Sequence, residues 1–219
     1  MSKKPFALFG VLFLIFFVGL AAAIRLDFQH SPFYFDNIVM QFAYRFQGNS
    51  LIKTLFTIYT QAFGDKGGMI TAVVVLLALF IFRQWRGALY FAVLTAAAIA
   101  LNTFLKSVIG RSRPTGHRLM AESGFSFPSG HSLFAVILLG TLFIIITQHI
   151  HNRAGRFFLW LFVSILILLV MASRIYIGVH YPSDTIGALL LGLAFLFLTY
   201  PLYYRFAHPK RIGSHVAHH

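Results

Sequence analysis

The sequence predicts an all-α integral membrane bundle of six transmembrane helices, with short interfacial helices between the first and second spans. Hydrophobic residues form 58% of the 219-residue chain and charged residues only 11%, against about 25% charged in soluble domains. Six charge-free stretches approach the ~20 residues that an α-helix needs to cross a bilayer core. Aromatic residues, 17% of the chain and mostly Phe, suit lipid-facing surfaces, with Tyr and Trp as interfacial anchors. Coiled-coil, collagen-like and disordered classes all need a more polar or repetitive composition. The chain has no Cys, so disulfides, thiolate metal sites and a thiol nucleophile are ruled out, and any chemistry falls to His, Ser, Asp, Lys or Arg.

The first span is Pro5 to Ile24. Lys3 and Lys4 precede it and Ala21, Ala22 and Ala23 close it, as in a secretory signal, but the uncharged stretch is longer than a signal core and is expected to stay as an anchor. The segment 25–66 is too polar to cross a membrane. Ile38, Val39 and Phe42, then Leu51, Ile52, Leu55 and Phe56, recur at near-helical spacing around the breaker Gly48-Asn49-Ser50, which predicts two short helices lying on the outer leaflet. A lid or ramp beside the site is the sharper alternative. Gly67 to Phe82 is the shortest span and relies on Lys66 and Arg83 snorkelling. Gly87 to Leu105, Ser129 to Gln148, Phe157 to Ser173 and Thr185 to Tyr204 complete the six. With no internal repeat, residues 1–219 are expected to form a single membrane-embedded domain.

The formal charge of +13 comes from 18 Lys and Arg against five acids. The cations sit singly at helix ends rather than in runs, which argues against nucleic acid and towards lipid head groups or a phosphorylated substrate. Lys3, Lys4, Arg83, Arg86, Arg153, Arg156, Arg205, Lys210 and Arg211 share the side of the termini. They outnumber the opposite cations once Lys106, Arg113 and Arg174 are set aside for the reason below, so the termini are expected in the cytoplasm. The loop 109–128 and the turn 178–184 then face outside, together with all five acids.

Three polar clusters interrupt the apolar sequence: Lys106 to Arg113-Pro114, Pro128-Ser129-Gly130-His131, and Ser173-Arg174 to His180 and Asp184. In a six-helix bundle all three reach the same membrane edge, because odd spans end where even spans begin. Lys106, Arg113 and Arg174 supply three cations with no carboxylate expected nearby except Asp184, a charge pattern that a tetrahedral dianion would balance. Ser129 stands at an N-cap position, and the Gly130 and His131 amides behind it would be unpaired donors at a helix N-terminus, an anion site. Gly130 lets backbone approach a ligand closely. His180 and Asp184 are four apart, with Pro182 suited to start a helix. The carboxylate could hold one ring N–H and free the other nitrogen for attack on phosphorus, while His131 protonates the departing oxygen. The residues alone do not decide which histidine attacks.

These blocks resemble the signature of the type 2 phosphatidic acid phosphatase superfamily, K-x6-R-P, P-S-G-H and S-R-x5-H-x3-D, with every specified position present between Lys106 and Asp184. The six-span layout extends the resemblance over nearly the whole chain. It implies hydrolysis, without metal or other cofactor, of a lipid phosphate or diphosphate at the outer face of the cytoplasmic membrane. Undecaprenyl diphosphate, phosphatidylglycerol phosphate and phosphatidic acid are the candidates, and no obligate protein partner is implied. It assigns His180 as the nucleophile forming a phosphohistidine, Asp184 as its orienting partner and His131 as general acid. Lys106, Arg113, Ser129, Gly130 and Arg174 become phosphate ligands. A lipid phosphotransferase at the same site, or a lipid-phosphate binder or transporter, are the alternatives, although the last leaves His180 and Asp184 without a role.

Neighbouring residues carry plainer expectations. Arg111 and Arg118 are expected to be head-group anchors, His117 and Glu122 solvated loop residues, and Tyr176 and Tyr181 interface aromatics. His215, His218 and His219 are expected in a disordered tail.

Overall fold

The computed structural model describes residues 4–208. Lys3, Lys210, Arg211 and the histidines 215, 218 and 219 lie outside the described residues. Among those described there are eight helices and no strand: α1 (Lys4–Leu26), α2 (Tyr34–Tyr44), α3 (Ser50–Gln61), α4 (Asp65–Ile81), α5 (Trp85–Ile109), α6 (Gly130–Thr147), α7 (Arg153–Tyr176) and α8 (Pro182–Ala207). Five of them, α1 and α5 to α8, are individually long and apolar enough to span a bilayer, and α3 with α4 forms a sixth candidate bent by 58°. Leu8, Ile15, Phe16, Phe158 and Phe162 are exposed on α1 and α7, as a lipid solvent permits.

The expected short helices are present. Asn49 caps α3 by accepting the Ile52 amide at 3.1 Å. On α2 and α3 the apolar stripe Ile38, Val39, Phe42, Leu51 and Leu55 is exposed. The opposite faces carry Asp36, Met40 and Thr60 into the bundle, where α2 rests on α7 and α8 and α3 on α7 and α4. α7 runs past the predicted end at Ser173 to Tyr176. The expected end rested on the charge of Arg174, but that charge is paired and fully buried, so the helix continues.

Packing sets the register of the two helices that matter most. α6 and α8 meet through reciprocal notches: Gly140 faces Leu196 and Gly192 faces Val136, so close that a Cβ at either glycine would overlap the opposing side chain. Their N-termini are tied directly, the Ser129 amide donating to the Asp184 carbonyl at 3.2 Å. The ends of α5 and α7 and the starts of α6 and α8 therefore gather at one edge of the bundle.

Candidate functional site

Each cluster is placed by a local rule. Gly110 ends α5 in the left-handed conformation, φ 66°, and returns its amide to Lys106 O at 3.0 Å. This turns the chain into the loop that carries Arg111 and Arg113. The Ser129 side chain caps α6 by accepting from the Ser132 amide at 3.5 Å and the Ser132 hydroxyl at 3.1 Å. The Gly130 and His131 amides lie in the first turn, which has no intrahelical carbonyl to offer them. A Cβ at Gly130 would meet only Asn102 Oδ1, at 3.5 Å, so its space is not taken by other protein atoms. Asp184, in the first turn of α8, accepts the Tyr181 amide at 2.9 Å through Oδ2, closing the cap at its own N-terminus.

Five of the eight predicted residues, Lys106, Arg113, Gly130, His131 and His180, line one cavity of about 620 Å³. Asp65 and Glu122 also reach the lining, and its apolar part includes Ala72, Ala98, Ile99, Leu133, Phe134 and Ile137, contributed by α4, α5 and α6. Asp184 stands behind His180, with Oδ2 at 3.3 Å from Nδ1. Arg113 Nη1 lies 3.3 Å from His180 Nε2 and also donates to Val179 O at 3.0 Å. Since a guanidinium has only donors, Nε2 presents its lone pair and the ring proton sits on Nδ1, facing the carboxylate. Burial first, then the charges of Arg174, Lys106 and Arg113, hold His180 well below the usual imidazole value, so the ring is neutral. Ser129, in its cap, and Arg174 are fully buried and stand behind the cavity wall rather than in its lining. Among the described residues no group of three His, Asp or Glu side chains is placed to hold a metal ion.

Several expectations are corrected here. Arg111 is not a head-group anchor: it is wholly buried between Asp184 Oδ1 at 2.7 Å and Asp36 Oδ2 at 3.1 Å. Glu122 is not a free loop residue either. One oxygen lies 2.5 Å from Arg174 Nη2 and the other 3.7 Å from Arg113 Nη2, so the cations do have a carboxylate besides Asp184. Tyr176 and Tyr181 are buried; the Tyr176 hydroxyl donates to Phe46 O at 3.0 Å, and the Tyr181 ring packs under Arg111, 4.2 Å from its Cζ. Arg118 and His117 remain exposed, and His117 stacks on Tyr44. Thr60, which carries no signal in the sequence, accepts from Arg174 Nη1 at 3.2 Å. Asn102 fastens α5 to α6 by donating to Pro128 O at 3.2 Å.

A chamber lined by cations and two imidazoles, opening between membrane-length helices onto apolar walls, suits an amphiphile with an anionic head. Comparison with known proteins makes this specific. The sequence model described as PAP2 superfamily matches residues 87–207. Phosphatidylglycerophosphatase B of Bacillus subtilis (strain 168) is 31% identical over 198 residues, covering 89% of this chain and 92% of that protein. Undecaprenyl-diphosphatase BcrC of the same organism is 28% identical over 158 residues, covering 68% and 74%. The crystal structure of a transmembrane PAP2 type phosphatidylglycerolphosphate phosphatase from Bacillus subtilis superposes with a TM-score of 0.77 at 27% identity, covering 94% of this chain and 98% of that one. The chain belongs to the PAP2 superfamily, and it is a multi-pass membrane phosphatase of that type.

Proposed function

We propose that this phosphatase hydrolyses a lipid phosphate or diphosphate through a phosphohistidine on His180. The observation that carries the reading is the two-sided hold on that ring at the cavity wall: Asp184 on Nδ1, and Arg113, a cation placed to bind the phosphoryl group, beside Nε2. Nε2 attacks phosphorus and forms the N–P bond. The P–O bond to the lipid breaks, its electron pair goes to the departing oxygen, and His131 gives that oxygen a proton. Water then attacks the same phosphorus, His131 takes a proton back, and the N–P bond breaks to release phosphate.

Lys106, Arg113 and the Gly130 and His131 amides stabilise the phosphoryl oxygens directly, while Arg174 adds its charge from behind the wall and the Ser129 cap holds the start of α6 in place, together filling the charge role that a divalent ion has in other phosphoryl transfers. Asp184 balances the charge that the imidazole gains on phosphorylation. The lipid tail lies along the apolar walls between α4, α5 and α6. The relatives named for phosphatidylglycerophosphate and undecaprenyl diphosphate make these two lipids, with phosphatidic acid, the substrates to test first. The excess of Lys and Arg on the side of the termini supports a site at the outer face of the cytoplasmic membrane, on a chain that acts as one domain.

The test is phosphate release from these three lipids in detergent, with and without a chelator, combined with quenching on radiolabelled substrate. Turnover that survives the chelator and a labelled protein that is stable to alkali but labile to acid, as phosphohistidine is, support the reading. Activity that is abolished by the chelator and restored by Mg²⁺ would overturn it.

A further inference from the structure

Behind the His180–Asp184 pair lies a second acid that the family signature does not contain. Asp36, on α2, is fully buried. It accepts from Arg111 Nη2 at 3.1 Å, from the Ser183 amide at 2.8 Å, from the Ser183 hydroxyl at 2.7 Å and from the Phe33 amide at 3.1 Å. The other arm of Arg111, Nη1, donates to Asp184 Oδ1 at 2.7 Å and to Ser183 Oγ at 2.6 Å. One guanidinium is thus shared by two carboxylates, and all three groups are out of solvent.

We propose that Asp36 is a positioning residue for the phosphoryl transfer: by engaging one side of Arg111 it keeps the Asp184 carboxylate both oriented towards and electrically available to His180. The inference rests on the catalytic reading above. Two negative charges against one positive leave one in excess, and the excess faces the imidazole. With Asp36 neutral, Arg111 would be balanced by Asp184 alone, and the pair would meet the phosphorylated ring as a neutral unit. The geometry acts in the same direction. Arg111 occupies Oδ1, so Oδ2 is left for the Tyr181 amide and His180 Nδ1. The charge on the ring develops only as phosphorus is transferred, so the effect belongs to turnover rather than to substrate binding. The segment between the first two spans thereby does more than cover the bundle, because its helix α2 supplies the acid.

The experiment compares wild type, Asp36→Asn, Arg111→Gln and the double variant with a short-chain phosphatidic acid in detergent, and checks thermal unfolding of each. Asp36→Asn is expected to lower kcat by about 10-fold or more with KM within about 3-fold. In the Arg111→Gln background the same change is expected to cost less than about 2-fold, because the guanidinium through which Asp36 acts is already gone. Asp36→Glu should recover part of the kcat. An unchanged kcat, a loss confined to KM, or losses that multiply in the double variant would each overturn the proposal, the last because it shows that Asp36 does not act through Arg111. If Asp36→Asn does not yield folded protein, Asp36→Ser, which also removes the charge, is read by the same criteria. Radiolabel quenching of the wild type separates the two layers. Without an alkali-stable adduct the phosphohistidine reading itself fails, whereas an adduct in wild type with unaltered turnover in Asp36→Asn refutes only the role of Asp36.

Discussion

The two ends of the bundle begin from the same sequence material, single cations at the ends of apolar helices, and arrive at opposite arrangements. At the end that holds His180, Arg111 and Arg174 are fully buried and each donates to a carboxylate. At the other end Arg86 donates to the Ala207 carbonyl at 3.2 Å and lies over the Trp85 ring at 4.8 Å. Gln84 pairs with His149 at 3.2 Å in an exposed contact. The difference is the acids. All five, Asp27, Asp36, Asp65, Glu122 and Asp184, belong to the first end. A buried cation needs a partner or its desolvation is uncompensated, so acids and buried cations occur together. A lone basic residue at a helix end marks an anchor; a basic residue with a carboxylate behind it marks a built site.

The comparison breaks first at the chemistry. His180→Ala is expected to remove the covalent adduct, and His131→Ala or Asp184→Asn to lower kcat by roughly 10²-fold or more, while Arg86→Ala at the other end leaves kcat within about 2-fold. Phosphate release in detergent measures all four, and near-normal rates in the first three would remove the functional distinction between the ends. Next comes Arg174→Ala. Its charge stands behind the phosphate ligands rather than on the cavity surface, so KM for a lipid phosphate should rise by about 3-fold or more; an unchanged KM would mean that Arg174 serves only its partners Thr60 and Glu122.

Glu122→Gln sharpens the contrast from the other side. Its carboxylate holds Arg174 and approaches Arg113, the same cations proposed for the phosphoryl oxygens, and so it competes with them. Neutralising it is expected to tighten inhibition by orthophosphate by about 3- to 10-fold, up to ~1.4 kcal/mol. Weaker inhibition would show that Glu122 organises the cations instead.

The smallest effect concerns pH. His180 is held neutral in the folded protein, well below the usual 6.5, chiefly by burial. The unfolded chain therefore binds this proton first as pH falls, and the stability tied to it is present above pH 6.5 and lost below that value. Thermal unfolding in detergent between pH 7.5 and 5 should show a shallower decline for His180→Gln than for wild type. Equal slopes would mean that the ring is not neutralised by its surroundings.

Much of this was legible in the sequence. The charge-free stretches identified the spans, and Ser129 and Pro182 marked the starts of α6 and α8 to within a residue or so. Caps and hydropathy are local, and local rules read them. The alternation of spans was enough to bring Lys106, Arg113, His131 and His180 to one cavity. Arg111 was misread because its identity resembles any membrane-edge arginine, and the partner that buries it, Asp36, is 75 residues away. The same holds for Thr60 and Glu122, separated from Arg174 by 114 and 52 residues.

Composition and spacing alone determined that the chain is a helical membrane bundle and which motif residues share an edge, because bilayer thickness and helix periodicity impose those on any sequence. Only the tertiary structure decided which charges are buried, which carboxylate each cation meets and how α2 reaches the site. Such pairings depend on packing between segments far apart in the chain, where the cost of burying one charge is offset only by the arrival of another.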